Sequence, residues 1–317
     1  MRNQLSTYTR LFTILALLVG TILGQSCEQE SEFEKQQKES DNQIQNYLKL
    51  NNISAQQADN GIYYELLTEN EKGRIPKTGE VMAVKYEIRT LDQKLLESHT
   101  SDSTLLKFGW NYIIPGGFNY GLDIMRKGEK IRIYVPSYLA YNSYSSGRLF
   151  PSFSNFILEI ELVEIYTEDE VFEHQIDQIE AYIDTQEISN LTPTTSGLYF
   201  KPLNASGGVQ AKTYHSVEFH FKRKYLDGTL IQQTEDDKPL TARLDSNQLV
   251  DGLREGLLKM SVGGKALLIM PSEIAFGPSV KVIPSEVRHD LWEDGFIGSL
   301  VDAYSIVVYE VEIVDLK

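Results

Sequence analysis

The chain has 317 residues, with 45 Asp plus Glu against 30 Lys plus Arg and a formal net charge of −15. That length suggests about two domains of ordinary size, and that charge repels a nucleic-acid backbone or an anionic lipid surface, so neither is expected as a partner. The one cysteine, Cys27, excludes an intrachain disulfide and a cysteine-based metal cluster.

Arg2 and Arg10 precede an apolar block from Leu11 to Leu23, which is short for a membrane span and has the charge order of a secretory signal. Ser26-Cys27 follows, and the chain then turns polar through Glu28, Gln29, Glu30, Ser31 and Glu32. The run resembles a bacterial lipoprotein signal, which implies that residues 1–26 are removed and Cys27 is lipidated. It departs from the pattern at Gly24, where Leu is usual; a plain secretory signal with an incidental thiol is the alternative. Residues 27–57 read as a polar tether and a lead helix: the stretch to about Ser40 is a solvated spacer. Ile44, Tyr47 and Leu48 then recur at helical steps, with Ser40 and Asp41 available as N-caps.

Next comes a turn, Asn60-Gly61, and an opening strand, Ile62-Tyr63-Tyr64. Val84, Tyr86 and Ile88 alternate with Lys85, Glu87 and Arg89, the pattern of a half-buried strand that turns back at Leu91-Asp92-Gln93. The run from Gly121 to Gly128 reads as a short helix, followed by a strand through Val135 and a Pro136-Ser137 corner leading to Tyr141. Phe156, Leu158, Ile160 and Leu162 close the unit as an alternating strand.

The whole unit then returns. Gly121, Met125, Gly128, Pro136 and Tyr141 reappear as Gly256, Met260, Gly263, Pro271 and Phe276 at a constant offset of 135. The offset also carries Ile44 to Ile179, Tyr47 to Tyr182, Tyr86 to Phe221 and Asp92 to Asp227. It breaks late, because Glu159 reappears as Glu310 at an offset of 151, so the second copy holds 16 extra residues after Phe276. A period this long means two folded domains in series, since stacked repeats have periods of roughly 20 to 50 residues. The boundaries are 58–167 and 195–317, with a helical linker at 168–194 and an enlarged loop at 277–304. Each repeat is an antiparallel sheet plus one short helix, an α+β arrangement preceded by a helix that packs on its domain or holds two domains, or two molecules, apart.

The ordered pieces Gly-Ile-Tyr-Tyr, Val-Lys-Tyr, Ile-Ile-Pro-Gly-Gly-Phe, Gly-Leu-Asp-Ile-Met-Arg-Lys-Gly, Val-Pro-Ser-Tyr-Leu-Ala-Tyr and Leu-Glu-Ile-Glu-Leu resemble an FKBP-type peptidyl-prolyl isomerase domain. The second copy resembles it less closely. The resemblance implies two tandem FKBP-like domains, each a sheet wrapped around its short helix with a proline-binding pocket between them. With the N-terminal signal, it further implies kinship with envelope lipoproteins linked to gliding motility and secretion.

Rotation about an X-Pro bond crosses a barrier of about 18–20 kcal/mol and needs no metal, nucleophile or cofactor. A dry aromatic pocket that prefers the twisted amide lowers that barrier by differential binding. Carried over residue by residue, the resemblance implies catalytic roles for Tyr86, Glu97, Phe118 and Tyr141, and substrate-binding roles for Leu96, Ile114, Phe150 and Leu158. Glu97 stands for an Asp, while Leu96 and Leu158 stand for Phe. A misplacement of about 1 Å costs on the order of a hundredfold in rate, so the first domain is expected to bind prolyl segments and turn them over weakly. The second domain carries a degenerate pocket of Phe221, Ile231, Gln232, Leu249, Leu253, Phe276 and Tyr309, expected to be an apolar hollow without activity.

In the family the enlarged loop overhangs its own domain's pocket. Here it contains Ile283-Pro284, Trp292 and Phe296, which either form a protein contact site or fold down into the degenerate pocket. His289 among scattered carboxylates is weak evidence for a metal, and none is expected. The expected function is a lipid-anchored prolyl isomerase of the bacterial envelope, bound to the outer membrane only through its lipid and acting on proline-containing clients. A non-catalytic subunit docked on an outer-membrane assembly is the alternative.

Overall fold

Helix formation begins earlier than the apolar spacing suggests. The computed structural model describes residues 31–317 apart from residue 205, so the signal run and Cys27 lie outside the described residues. The first helix runs Glu32–Leu50. The segment expected as a spacer is therefore helical from Glu32, because Ser31 and Glu34 form a capping box: the Glu34 amide donates to Ser31 Oγ at 3.2 Å and the Ser31 amide to Glu34 Oε2 at 2.7 Å. Residues 32–39 are mostly solvent-exposed, which is why no apolar period marks them.

From Ser40 onward the chain forms one unit containing both repeats. The first repeat is a six-stranded antiparallel sheet in the order Gln56–Gln57, Tyr63–Thr68, Lys130–Val135, Phe156–Tyr166, Val81–Thr90, Leu95–Lys107. Strand Val81–Thr90 is buried at Val84, Tyr86 and Ile88 and partly exposed at Lys85, Glu87 and Arg89. The second repeat is a seven-stranded sheet centred on Ser216–Tyr225, Val307–Leu316 and Lys265–Met270. Its counterpart of Leu95–Lys107 is split into Leu230–Gln233 and Leu240–Arg243, both paired with Ser216–Tyr225.

Each sheet curls around a short helix. In the first repeat a 3-10 turn, Gly116–Phe118, runs into Asn119–Leu122, so the helix ends six residues before Gly128 rather than at it. In the second it is Asp251–Leu258. Gly128 at φ +83° and Gly263 at φ +79° make the same left-handed turn into the next strand, a conformation that costs glycine nothing. Two cores result, one around Phe118, Ile133 and Phe156, the other around Phe219, Leu257 and Leu268.

The lead helices pack on the outer faces of their sheets. Ile44 and Leu48 bury against Tyr63, Tyr134 and Ile157, and Ile179 of helix Glu168–Thr185 buries against Tyr199, Ile269 and Val308. The second lead helix also joins the repeats, since its Val171 packs with Val81 of the first and with Ala303 and Tyr304 of the second. Among the described residues no helix is long and apolar enough to cross a membrane.

The enlarged loop does not line its own domain's pocket. It crosses to the first repeat, where Lys281–Val282 pairs in parallel with Ile113–Ile114. The Ile114–Pro115 and Ile283–Pro284 peptide bonds are both cis.

Candidate functional site

The first-repeat pocket is assembled from the inner face of the sheet, the short helix and the corner after Lys130–Val135. Strand alternation turns Tyr86 and Leu158 inward, the 3-10 turn supplies Phe118, and the Pro136-Ser137 corner delivers Tyr141. Tyr86, Phe118, Tyr141, Phe150 and Leu158 are buried in one cluster, with Leu96 and Ile114 half-buried against it. Tyr141 lies 5.1 Å from Phe150 and 6.0 Å from Phe156, and Phe150 meets Phe156 edge-on at 5.0 Å. Aromatic rings in such tilted and edge-on contacts form a wall that excludes water.

The eighth residue, Glu97, rims the pocket. It accepts a hydrogen bond from the Tyr86 hydroxyl and contacts His99 Nε2 at 2.8 Å. Burial, then the charge and hydrogen bond of Glu97, push the Tyr86 phenol far above its usual range. Burial, with Tyr144 and Glu97 adding to it, does the same to Tyr141. Both hydroxyls therefore remain protonated donors at any ordinary pH.

The pocket is occupied, and by this chain itself. The Tyr141 hydroxyl donates to the main-chain carbonyl of Ile283 at 2.9 Å, the Ile283 amide donates to the carbonyl of Ile114 at 2.9 Å, and the Ser285 amide donates to Glu97 Oε2. Val282, Ile283, Val287 and Leu291 are buried in the same cluster as Phe118 and Tyr141. The expectation that the loop overhangs or fills its own domain's pocket is corrected. Its aromatic residues do not enter the second pocket: Trp292 is half-buried against the first core, and Phe296 is 73 % exposed. The physical reason is the apolar run Val282-Ile283-Pro284, which finds a deeper apolar receptor in the first domain.

The second pocket stays open. A hollow of about 320 Å³ is lined by Phe221, Gln232, Leu249, Leu253, Phe276 and Tyr309, and Ile231 lies outside it, half-buried against the second core. The expectation of a purely apolar hollow is overturned by Arg223, 7 % exposed in the same wall. Its guanidinium donates to the Tyr309 hydroxyl at 2.9 Å and to Gln232 Oε1 at 2.7 Å, and lies 4.6 Å from the Phe276 ring centroid. Its Nε has no hydrogen-bond partner among the described residues. The constant offset places Arg223 where the first repeat has Ile88. The period-two pattern of Val217, Phe219 and Phe221 was the signal that could have found it.

Twice over, then, the chain curls an antiparallel sheet round a short helix, and in the first repeat the cleft grips the carbonyl of an X-Pro amide. That is the architecture of a prolyl-binding domain. The family model described as "FKBP-type peptidyl-prolyl cis-trans isomerase" matches residues 72–163 and 207–314, and the chain belongs to that family. Among curated proteins it is similar to the human peptidyl-prolyl cis-trans isomerase FKBP9, at 27% identity over 246 residues, 77% of this chain and 36% of that protein. It is also similar to the FKBP-type 22 kDa isomerase of Escherichia coli, at 29% identity over 107 residues, 34% of this chain and 51% of that protein. The chain thus spans about a third of the length of the human relative. Among solved structures, the three FKBP domains of wheat FKBP73 align over 83% of this chain and 99% of theirs, at 22% identity and a TM-score of 0.32.

Proposed function

We propose that the chain is a peptidyl-prolyl cis-trans isomerase that works through its first domain. One observation carries this reading: the Tyr141 hydroxyl holds the carbonyl of the residue that precedes Pro284, inside an aromatic, water-excluding cleft. Planar amide resonance places charge on that oxygen, which water stabilises, so a dry cleft disfavours the planar form relative to the twisted one. Tyr141 fixes the carbonyl end, Glu97 takes the amide beyond the proline, and Phe118 and Phe150 give apolar surface for the ring between them. The second domain has Phe276 where the hydroxyl would be and Leu253 where the ring would be, so it contributes no rate in this reading.

The test is exchange spectroscopy of an Ile-Pro peptide with the full chain, both intact and carrying Ile283→Asp to open the cleft. Acceleration over the uncatalysed exchange is expected, reduced about tenfold by Tyr141→Phe, since one hydrogen bond is worth roughly 1–1.5 kcal/mol. No acceleration by either form would overturn the reading. The occupied cleft favours a second reading, a non-catalytic binding subunit of an outer-membrane assembly, and the same null result would support it.

We infer further that the protein works at the bacterial envelope, tethered through Cys27, on proline-containing envelope or secreted polypeptides. The apolar block before Cys27 and the polar run after it support this. Cys27→Ser should abolish palmitate incorporation and release the protein from the membrane fraction; unchanged fractionation would sink the tether.

A further inference from the structure

Residues 281–285 belong to the second domain by sequence and to the first domain by contact. They enter the cleft as a strand: the Lys281 amide donates to the carbonyl of Tyr112 at 2.8 Å, and Val282 lies beside Ile114. On the far side of the proline, the Ser285 amide meets Glu97. Hydrogen-bonding groups of the cleft thus engage main-chain atoms on both sides of Pro284, while the Ile283 side chain is 3% exposed. Main-chain pairing gives a peptide its direction and register, and the side-chain pockets give specificity.

We propose that Lys281–Ser285 is a tethered pseudosubstrate that keeps the first-domain cleft closed until displaced. The inference rests on the prolyl-binding reading of the same pocket. The segment is held by Ile283 and Val282, which lie in the cluster with Phe118 and Tyr141. Lys281 is not part of the recognition code. Its ammonium meets Asp302 of its own domain at 2.5 Å and donates to Thr104 of the first domain at 3.0 Å.

The loop is built to hold the segment in place. Asp302 takes both Lys281 and, at 2.8 Å, Nη2 of Arg288, a cation 7% exposed whose Nη2 also donates to the carbonyl of Val280 and whose Nη1 donates to those of Ser299 and Val301. At the rim Tyr144 donates to Asp290 at 2.8 Å and Arg148 pairs with Glu286. Those rim pairs are exposed and contribute little. Closure therefore comes from burying the aliphatic side chains. A flexibly tethered ligand presents itself at an effective concentration on the order of millimolar. An outside peptide sees its affinity reduced by the fraction of time the cleft is open.

The experiment uses the full chain and a fluorescent acetyl-Val-Ile-Pro-Ser-amide probe. The double variant Ile283→Asp, Pro284→Gly should bind the probe at least about tenfold more tightly than the intact chain; equal affinity overturns closure. A Val-Asp-Pro-Ser probe should bind the opened chain at least about tenfold more weakly, since burying an unpaired carboxylate is costly; equal binding would mean that the buried aliphatic side chain is not what holds the segment, and overturns the proposal. If the double variant does not fold, hydrogen exchange on the intact chain decides. The Ile283 and Ser285 amides should be protected alone and lose protection under saturating Val-Ile-Pro-Ser probe. Protection that persists while the probe is bound, or no probe binding to any form, overturns the proposal. Binding to the opened chain without faster isomerisation would leave this inference standing and remove the isomerase reading. Equal isomerisation by intact and opened chains would do the reverse.

Discussion

Arg223 sets the sharpest residue-scale question. Alternation along Ser216–Tyr225 turns it inward beside Phe221, and it makes no ion pair among the described residues. Taking a guanidinium out of water is costly when no carboxylate answers it. Here the compensation is two neutral acceptors and a ring face, which leaves Nε unsatisfied. Burial raises the Tyr309 phenol, and Arg223 pulls it partway back, so the two groups share one desolvated wall. Arg223→Met alone would strand the Tyr309 hydroxyl, whereas the pair Arg223→Met, Tyr309→Phe removes donor and acceptor together. The pair is expected to raise stability by roughly 1–3 kcal/mol, read as a higher urea midpoint with unchanged slope. A lower midpoint would mean that the cation is compensated better than its contacts indicate.

At the scale of elements, the lead helices occupy equivalent places but are fixed by different chemistry. In the first repeat, Ser40 meets the hydroxyl of Ser137 at 2.5 Å and Asn155 accepts from the Ser137 amide at 2.8 Å. In the second, Gln175 stands where the offset puts Ser40 and takes the place of Asn155: its carbonyl accepts from the Ser272 amide at 2.8 Å, and its NH2 donates to the Tyr304 carbonyl at 2.7 Å. Gln175→Ala therefore strands two buried backbone groups and should cost about 2–4 kcal/mol, against about 1 kcal/mol for Ser40→Ala. Equal urea midpoints for the two variants would contradict that assignment.

The repeat made such equivalences readable in advance. Because Ile44 and Ile179, or Gly128 and Gly263, keep one offset, the order of strands and helices in both domains followed from spacing and alternation. The start of the first helix did not, since residues 32–39 lack an apolar stripe and the only signal was the cap Ser31-x-x-Glu34. The destination of the enlarged loop was beyond sequence spacing. Sixteen extra residues fix a reach, but Val282-Ile283-Pro284 is apolar whichever pocket receives it, and only the packed geometry chooses between two homologous clefts. Arg223 is legible by period two but lies outside the positions matched to the family pocket.

At the scale of the whole molecule, the interior is unusually dependent on neutral phenols. Tyr86 and Tyr141 line the first cleft, Tyr309 the second, and Tyr304 ties the connecting helix to the second domain through Glu168. Burial is the leading cause that raises all four above the ordinary tyrosine value. A group whose folded pKa is raised contributes stability that is complete below its unfolded value, about 10, and lost as pH climbs toward the folded value. Between those two values the unfolded chain binds fewer protons than the folded one, so unfolding becomes easier by about 1.4 kcal/mol per pH unit for each such tyrosine. Carboxylates set the acid limb. Glu159, despite desolvation that opposes it, is held low by Arg132 and Lys130, and Glu164 by Lys127, so their contributions are present above the ordinary carboxylate range and fade as pH falls through it. Urea midpoints should accordingly form a plateau from about pH 5 to 9 and fall steeply above about pH 10, the alkaline limb being steeper because several tyrosines titrate together. The same midpoint at pH 11 as at pH 8 would show that these phenols are reached by water, and with that the dry cleft on which the prolyl chemistry depends would be lost.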